Sequence, residues 1–522
     1  MYKPVVLVVL DGWGLGKTES GNPLVKAKIP TIKRLSQYYP HISLQASGIS
    51  VGLPWGEVGN SEVGHMTLGA GKIVYQNMPR ITMAIQTGAF LKNEIFLNAA
   101  ANVKKNNSAL HLMGLVGKGG VHSYVDHLYA LLEFAKQQQL TNVFIHIFTD
   151  GRDSAPTSAV ESIRDLQKKL NYYGTGKIAT LCGRYFAMDR DNNWDRIAKA
   201  YNLLTKGEGE KITDPIQYLE ASYKKEKFDE YLEPAVITEN GQPIATIKDS
   251  DSVIFFNFRE DRAKEITKAF SLPDFAHFPR QKINDLYFVT MVQYEEGFPV
   301  EVAFLPEKVT DSLGKILSEN GLSQLRIAET EKFAHVTYFF NGGLEEPFPK
   351  EDRIIVPSKK VNSFDKIPEM SANEITEKVL ALINENKYDF ILINYANADM
   401  VAHTGSEEAT IKAAEVVDQC LEKLMSLVLE KKGCLLITSD HGNAEEVKKA
   451  MTGETDTQHS DNPVPLWFIT PDNCSSAPRT DAEFNTDEAG GLLSDIAPTV
   501  LALFDLKKSA EMTGESLLDM MK

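Results

Sequence analysis

The sequence predicts an α/β protein of two doubly wound domains, one inserted in the other. Three observations carry that expectation. The chain has 522 residues, enough for two large domains. Short apolar, β-branched runs that do not alternate with polar residues recur along it, as buried parallel strands do. Amphipathic helical stretches separate these runs, and the polar residues suited to chemistry cluster just after them.

Residues 4–10 form the first such run and end at Asp11-Gly12-Trp13-Gly14. An aspartate at the carboxyl end of a first strand stands where open α/β sheets build their sites, although an aspartate capping a turn reads equally well. A helix is expected over 30–39, with Ile32, Leu35 and Tyr39 on one face. Residues 56–72 form a glycine-rich stretch around Ser61, leading into a helix whose N-terminus suits a phosphate. For a lone serine, an N-cap is the better reading.

From about residue 76 the pattern restarts. Residues 76–80, which contain Pro79, read as a linker. Strands are then expected at 108–117, 142–149, 177–181, 252–258 and 285–292, with helices at 126–137 and 158–170 among them. The first four runs are followed by His122-Ser123, Asp150-Gly-Arg152-Asp153, Arg184 to Arg190, and Arg259-Glu-Asp-Arg262. Arginine binds phosphate or carboxylate through a planar fork, so these positions predict a local cationic pocket. Each arginine alone reads better as a surface ion pair with Asp153, Asp189 or Asp261. Their shared position after successive strands is harder to explain that way.

A second linker is expected around 304–312. The returning chain offers a helix at 314–317 and strands at 324–328, 353–357 and 388–395. Lys332 alone reads as a solvated lysine. Asp399 and His403 are four apart, so one helical turn would set both on one face, as metal ligands or as a capping arrangement. A helix at 406–428 leads to the strand 433–437 and to Thr438-Ser439-Asp440-His441-Gly442-Asn443. A carboxylate and an imidazole at a strand end offer a hard oxygen and a neutral nitrogen to a divalent metal. His459 lies in a polar loop before the strand 464–469, and Ser494 is the expected cap of a final helix. The layout predicts one domain from 1–76 and 309–522, with 77–308 inserted.

Three aspartates (Asp11, Asp399, Asp440) and three histidines (His403, His441, His459) suit two ions such as Mn²⁺ or Zn²⁺. Ser61 is then the natural nucleophile. The formal charge of -16 disfavours nucleic acid and anionic membranes as partners. Four cysteines without a C-x-x-C pair suggest a reduced, cytoplasmic protein. No apolar run is long enough to span a bilayer, and the run at 5–10 is too short for a signal sequence.

Asp11-Gly-Trp-Gly, Gly59-Asn-Ser61-Glu-Val-Gly-His65, Thr149-Asp-Gly-Arg-Asp153, Gly183-Arg-Tyr-Phe-Ala-Met-Asp-Arg190, Asn257-Phe-Arg-Glu-Asp-Arg262, Asn397-Ala-Asp-Met-Val-Ala-His403 and Ser439-Asp-His-Gly-Asn443 resemble the cofactor-independent phosphoglycerate mutases of the alkaline phosphatase superfamily. The resemblance runs nearly end to end. It implies an alkaline-phosphatase-like metal domain from both chain ends and an inserted phosphotransferase domain that binds substrate. It implies two Mn²⁺ ions per chain, with other divalent ions as alternatives: one on Asp399, His403 and His459, the other on Asp11, Ser61, Asp440 and His441. It implies phosphoryl transfer through Ser61 and a glycerate held by His122, Arg152, Asp153, Arg184, Arg190, Arg259 and Arg262. Asp153 would handle the hydroxyl proton, and Lys332 would neutralise the phosphoryl group. The expected reaction interconverts 3-phosphoglycerate and 2-phosphoglycerate, in a monomer whose only partner is that small substrate. The sequence departs from the family pattern at Thr67, Ser154-Ala155, Ala402 and Ser439, none of them an expected ligand. A metal-dependent phosphatase, or another phosphomutase on the same core, is the alternative. The inserted arginines favour the mutase, because they suit retention of an anion that a hydrolase must release.

Overall fold

Two mostly parallel sheets are built from the apolar runs, one in each of two compact units: residues 1–76 with 307–522, and residues 77–306. The computed structural model describes residues 2–17, 20–449, 452–479 and 483–521. Among the described residues, no helix is long and apolar enough to cross a membrane.

In the unit made from the chain ends, eight strands run in the order Glu351–Val356, Gln324–Glu329, Phe390–Tyr395, Val5–Leu10, Cys434–Thr438, Val464–Ile469, His41–Gln45, Gly491–Leu492. The first five are mutually parallel, and Val464–Ile469 is antiparallel to both of its neighbours. Val5–Leu10 lies centrally and is buried on both faces. Val6, Val8 and Leu10 pack into one core, and Val5, Leu7 and Val9 into the other. Because successive side chains point to opposite faces, such a strand must be apolar at every position. Each of these side chains contributes about 1.5–3 kcal/mol by leaving water.

That order sets the carboxyl ends of four adjacent parallel strands along one edge of the sheet. Lys332, Asp399, Asp11 and Asp440 follow Gln324–Glu329, Phe390–Tyr395, Val5–Leu10 and Cys434–Thr438 respectively. His459 precedes the antiparallel Val464–Ile469, so it approaches the same edge.

In the unit 77–306, the order is Glu301–Phe304, Tyr287–Val292, Ser252–Phe255, Leu110–Leu115, Val143–Thr149, Lys177–Gly183, Ala235–Glu239, Glu210–Ile212, with Gln242–Pro243 paired to Ala235–Glu239. The first six are parallel. The chain winds outward from Leu110–Leu115 through the next two strands, then returns at Ser252–Phe255 on its other side. The order therefore reverses beside Leu110–Leu115, and ligands of open α/β sheets bind at the strand ends of such a reversal.

Two local expectations need correction. Residues 77–80 are not a linker but the start of the helix Asn77–Gln86. Pro79 fits there because the first turn of a helix needs no N–H donor. Ser494 does not cap the last helix. It lies within a 3-10 turn, Leu493–Asp495, ahead of Ile496–Leu503. The Asp495 carboxylate instead accepts from the Leu492 amide at 2.8 Å and the Glu515 amide at 2.9 Å.

Candidate metal centre and anion site

The helix Ser61–Ala70 begins with Asn60 as its cap, the side chain accepting from the Val63 amide at 3.1 Å. Ser61 is therefore the first helical residue rather than the cap, and its hydroxyl is free for other partners at the positive end of the helix. Gly64 explains how the helix reaches the sheet edge: a Cβ there would stand 2.6 Å from the Asp440 carbonyl oxygen. Gly12 does the same for the first strand. It has φ +71°, and a Cβ would lie 2.7 Å from the Asp399 Cβ.

Around Ser61 the buried groups close in. Its Oγ lies 2.7 Å from Lys332 Nζ, 2.9 Å from His441 Nε2 and 3.2 Å from Asp11 Oδ1. Lys332 Nζ also donates to Asp11 Oδ1 at 2.6 Å and Asp399 Oδ2 at 2.7 Å. Burial alone would raise the Asp11 carboxyl and lower the Lys332 ammonium. Their mutual attraction reverses both shifts, leaving Asp11 well below the usual carboxylate range and Lys332 above the usual lysine. Asp399 is held low in the same way, chiefly by Lys332. His441 is lowered by burial, but Asp440, Asp11 and Asp399 hold it at about 9.

Two observations show that these groups fit metal ions. His403 Nδ1 donates to the Thr457 carbonyl and His459 Nδ1 to the Gly59 carbonyl, each at 2.8 Å. Carbonyls only accept, so in the neutral rings both Nε2 atoms carry lone pairs. These converge with Asp399 Oδ1 at separations of 3.1, 3.2 and 3.3 Å. Ligands about 2.0–2.2 Å from one ion, at tetrahedral to right angles, stand about 2.8–3.6 Å apart. Second, the buried Asp440 Oδ2 has no hydrogen-bond donor. It is 3.1 Å from His65 Nδ1, but that N–H points to the Ser61 carbonyl at 2.9 Å. A buried carboxylate oxygen without a donor calls for a cation. A cavity of about 380 Å³ adjoins His403 and His459, bounded by residues 57–60.

Sequence reasoning missed the residues that hold the candidate ligands. His65, four residues after Ser61 on the same helix, also forms a candidate group with Asp11 and Asp440. Both its nitrogens are committed, however, Nδ1 to the Ser61 carbonyl and Nε2 to Asn394 Nδ2 at 3.1 Å. It therefore braces the candidate ligands rather than adding a free nitrogen to them. Asn394 Nδ2 also donates to Asp11 Oδ2 at 2.7 Å, and Asn443 Nδ2 donates to Asp399 Oδ1 at 2.7 Å. The i, i+4 spacing could have flagged His65. Nothing local marks the two asparagines.

The unit 77–306 places the residues expected to hold an anion at the ends of four neighbouring parallel strands. Arg184 is buried and donates to Asp150 Oδ1 at 2.7 Å and Asp153 Oδ2 at 2.5 Å. Asp261 takes Arg190 at 2.7 Å and Arg259 at 3.3 Å, with His122 Nδ1 at 3.5 Å. Arg152 pairs with Glu230 at 3.3 Å, and Arg262 donates to the Met188 carbonyl at 3.1 Å. Most arginines thus pair with an acid from another loop, and Asp189 takes Arg196 instead. Burial, then the nearby Arg190, Arg184 and Arg152, lowers the Arg262 guanidinium, so positive charge accumulates here. Burial and then Arg184 push His122 down to about 4, leaving it neutral.

An α/β sheet with carboxylates, imidazoles and a helix-borne serine at its carboxyl edge defines a metal-binding enzyme of the alkaline phosphatase superfamily. Sequence-family models agree: one described as the BPG-independent PGAM N-terminus matches residues 81–296, and one described as type I phosphodiesterase / nucleotide pyrophosphatase matches residues 325–489. The 2,3-bisphosphoglycerate-independent phosphoglycerate mutases of Clostridium perfringens and Clostridium beijerinckii are each 50% identical to the chain, over 99% of both sequences. The solved structure of Leishmania mexicana phosphoglycerate mutase at low cobalt concentration is 29% identical, with a TM-score of 0.55 over 99% of this chain and 97% of that one. The chain belongs to the 2,3-bisphosphoglycerate-independent phosphoglycerate mutase family and is an isomerase.

Proposed function

We propose that the chain interconverts 3-phosphoglycerate and 2-phosphoglycerate by carrying the phosphoryl group on Ser61, with two Mn²⁺ ions and no bisphosphate cofactor. The observation that carries this reading is the buried Ser61 hydroxyl, within 3.2 Å of Lys332, His441 and Asp11. One ion would be held by Asp399, His403 and His459, the other by Asp11, Ser61, Asp440 and His441. The ions would supply positive charge that favours an ionised serine and the phosphoryl group in transfer.

The chain's own residues divide the remaining work. Lys332 holds a fixed ammonium 2.7 Å from the serine oxygen, where negative charge accumulates as the phosphoryl group arrives. In the first transfer, the bond from phosphorus to the C3 oxygen breaks and one to Ser61 Oγ forms. The proton that Oγ gives up is matched by one gained at the C3 oxygen. The second transfer reverses this on the C2 oxygen. Asp153 is assigned to move the proton between the two glycerate oxygens. Arg152, Arg184, Arg190, Arg259 and Arg262, with His122 as a neutral donor, are assigned to keep the glycerate from leaving. The residues 1–76 and 309–522 would thus be the metal domain, and 77–308 the substrate domain. Work in the cytoplasm fits the three buried, unpaired thiols Cys182, Cys420 and Cys434, and a monomer is what the family resemblance implies.

The test is turnover of 3-phosphoglycerate by metal-stripped protein given Mn²⁺, without 2,3-bisphosphoglycerate. The mutase reading expects 2-phosphoglycerate with little free phosphate. Free phosphate without 2-phosphoglycerate would instead establish a phosphatase on the same core.

A further inference from the structure

We propose that Glu445 is a positioning residue that fixes the metal-binding loops to one another. It lies outside every expected ligand set, and the role rests on the ligand assignment made above. The side chain is buried, and both oxygens are fully engaged. Oε2 accepts from the Gly14 and Asn443 amides, each at 2.9 Å. Oε1 accepts from Asn462 Nδ2 at 3.0 Å and from the Ser460 hydroxyl in close contact.

Those four donors come from three separate segments. Gly14 is three residues beyond Asp11, Asn443 is two beyond His441, and Ser460 is next to His459. One carboxylate therefore joins the loops that carry ligands for both proposed ions. It reaches a fourth ligand through Asn443, whose amide it holds and whose side chain donates to Asp399 Oδ1 at 2.7 Å.

The surroundings are shaped for this carboxylate. A Cβ on Gly14 would stand 2.3 Å from the Glu445 carboxyl carbon, and one on Gly442 would stand 2.5 Å from Oε1. Four donors meet a group that, when ionised, only accepts. An amide would set its own N–H against a donor, and a methyl would leave buried backbone amides unpaired. Ser439 adds a parallel tie: its hydroxyl accepts from the Trp13 amide and donates to the His441 carbonyl, both at 2.9 Å.

The test is Mn²⁺ titration of the metal-stripped full chain by calorimetry, alongside its melting temperature. Groups that orient metal ligands typically cost about 10–100-fold in affinity when removed, and Glu445→Ala is expected to fall in that range. Asp418→Ala is the matched control. Asp418 is an equally buried carboxylate accepting from the Thr31 and Ile32 amides at 3.1 and 2.8 Å, and it touches no ligand loop. It should lower the melting temperature yet leave Mn²⁺ affinity within about twofold, since capping alone sets its role. Glu445→Gln, which keeps one acceptor oxygen for the Gly14 and Asn443 amides, should fall between Glu445→Ala and the parent, and it supplies the readout if Glu445→Ala does not fold. Parent-like affinity in the Glu445 variants, or an equal loss in Asp418→Ala, overturns the proposal. Tight binding that survives both Asp399→Asn and His459→Ala would instead contradict the ligand assignment.

Discussion

Replacing Lys332 with methionine removes the one lysine buried among the proposed ligands while nearly keeping its volume. That ammonium lies 2.6 Å from Asp11 and 2.7 Å from Asp399, and both carboxylates are buried. Breaking a buried ion pair by deleting one partner costs about 3–5 kcal/mol, because the remaining charge stays desolvated. At about 2–4 °C per kcal/mol for a large domain, the variant without added metal should melt on the order of 6–20 °C lower. Metal ions supply the missing positive charge, and their ligands no longer share space with a fixed cation. Mn²⁺ should therefore raise the melting temperature of Lys332→Met by more than it raises that of the parent. Thermal unfolding of both proteins, stripped and reloaded, measures this. Equal melting of the stripped proteins, or a smaller Mn²⁺ shift in the variant, would refute the reasoning.

Three further perturbations probe the sites separately. Arg152 is largely exposed, and its pair with Glu230 is worth no more than about 1 kcal/mol, so Arg152→Ala should leave stability nearly unchanged. As a substrate contact it should still lower kcat/KM about tenfold or more, and an unchanged kcat/KM would remove it from the site. Arg184→Met strands the buried Asp150 and should cost about 3–5 kcal/mol in denaturant unfolding; near-parent stability would contradict that. His441, held at about 9 by Asp440, Asp11 and Asp399 against burial, is protonated at pH 7 when no metal displaces its proton. Because its folded pKa is raised, its contribution to stability is complete below about pH 6.5 and is lost as pH rises through about 9. A metal takes the neutral ring, so Mn²⁺ binding at pH 7 should release protons and weaken on acidification. Calorimetry in buffers of different ionisation heat would detect the release, and its absence would refute the assignment of His441.

The fold was legible where strands are buried on both faces. Val5–Leu10, Phe390–Tyr395, Cys434–Thr438 and Val464–Ile469 announce themselves as mostly apolar runs, interrupted only by Asn394 and closed by Thr438. Strands at sheet margins were not. His41–Gln45 alternates and is short, and Ala235–Glu239 pairs antiparallel to the main direction. Helices such as Glu94–Asn106 and Trp194–Lys206 are hard to see because polar and charged residues interrupt the apolar stripe. The candidate ligands stood out because aspartate and histidine directly after a buried run are conspicuous. Lys332 did not, since its partners Asp11 and Asp399 lie 321 and 67 residues away. Glu445 was less visible still: beside Glu446, it looks like part of a solvated acidic face until the loops close around it.

The central claim is that the phosphoryl group passes through Ser61. The most direct measurement is rapid acid quench of the Mn²⁺-loaded chain during turnover of 3-phosphoglycerate, followed by peptide mapping of the phosphoryl group. The account predicts a phosphoryl group on Ser61 that disappears in Ser61→Ala together with 2-phosphoglycerate formation. Undiminished formation of 2-phosphoglycerate by Ser61→Ala would contradict it.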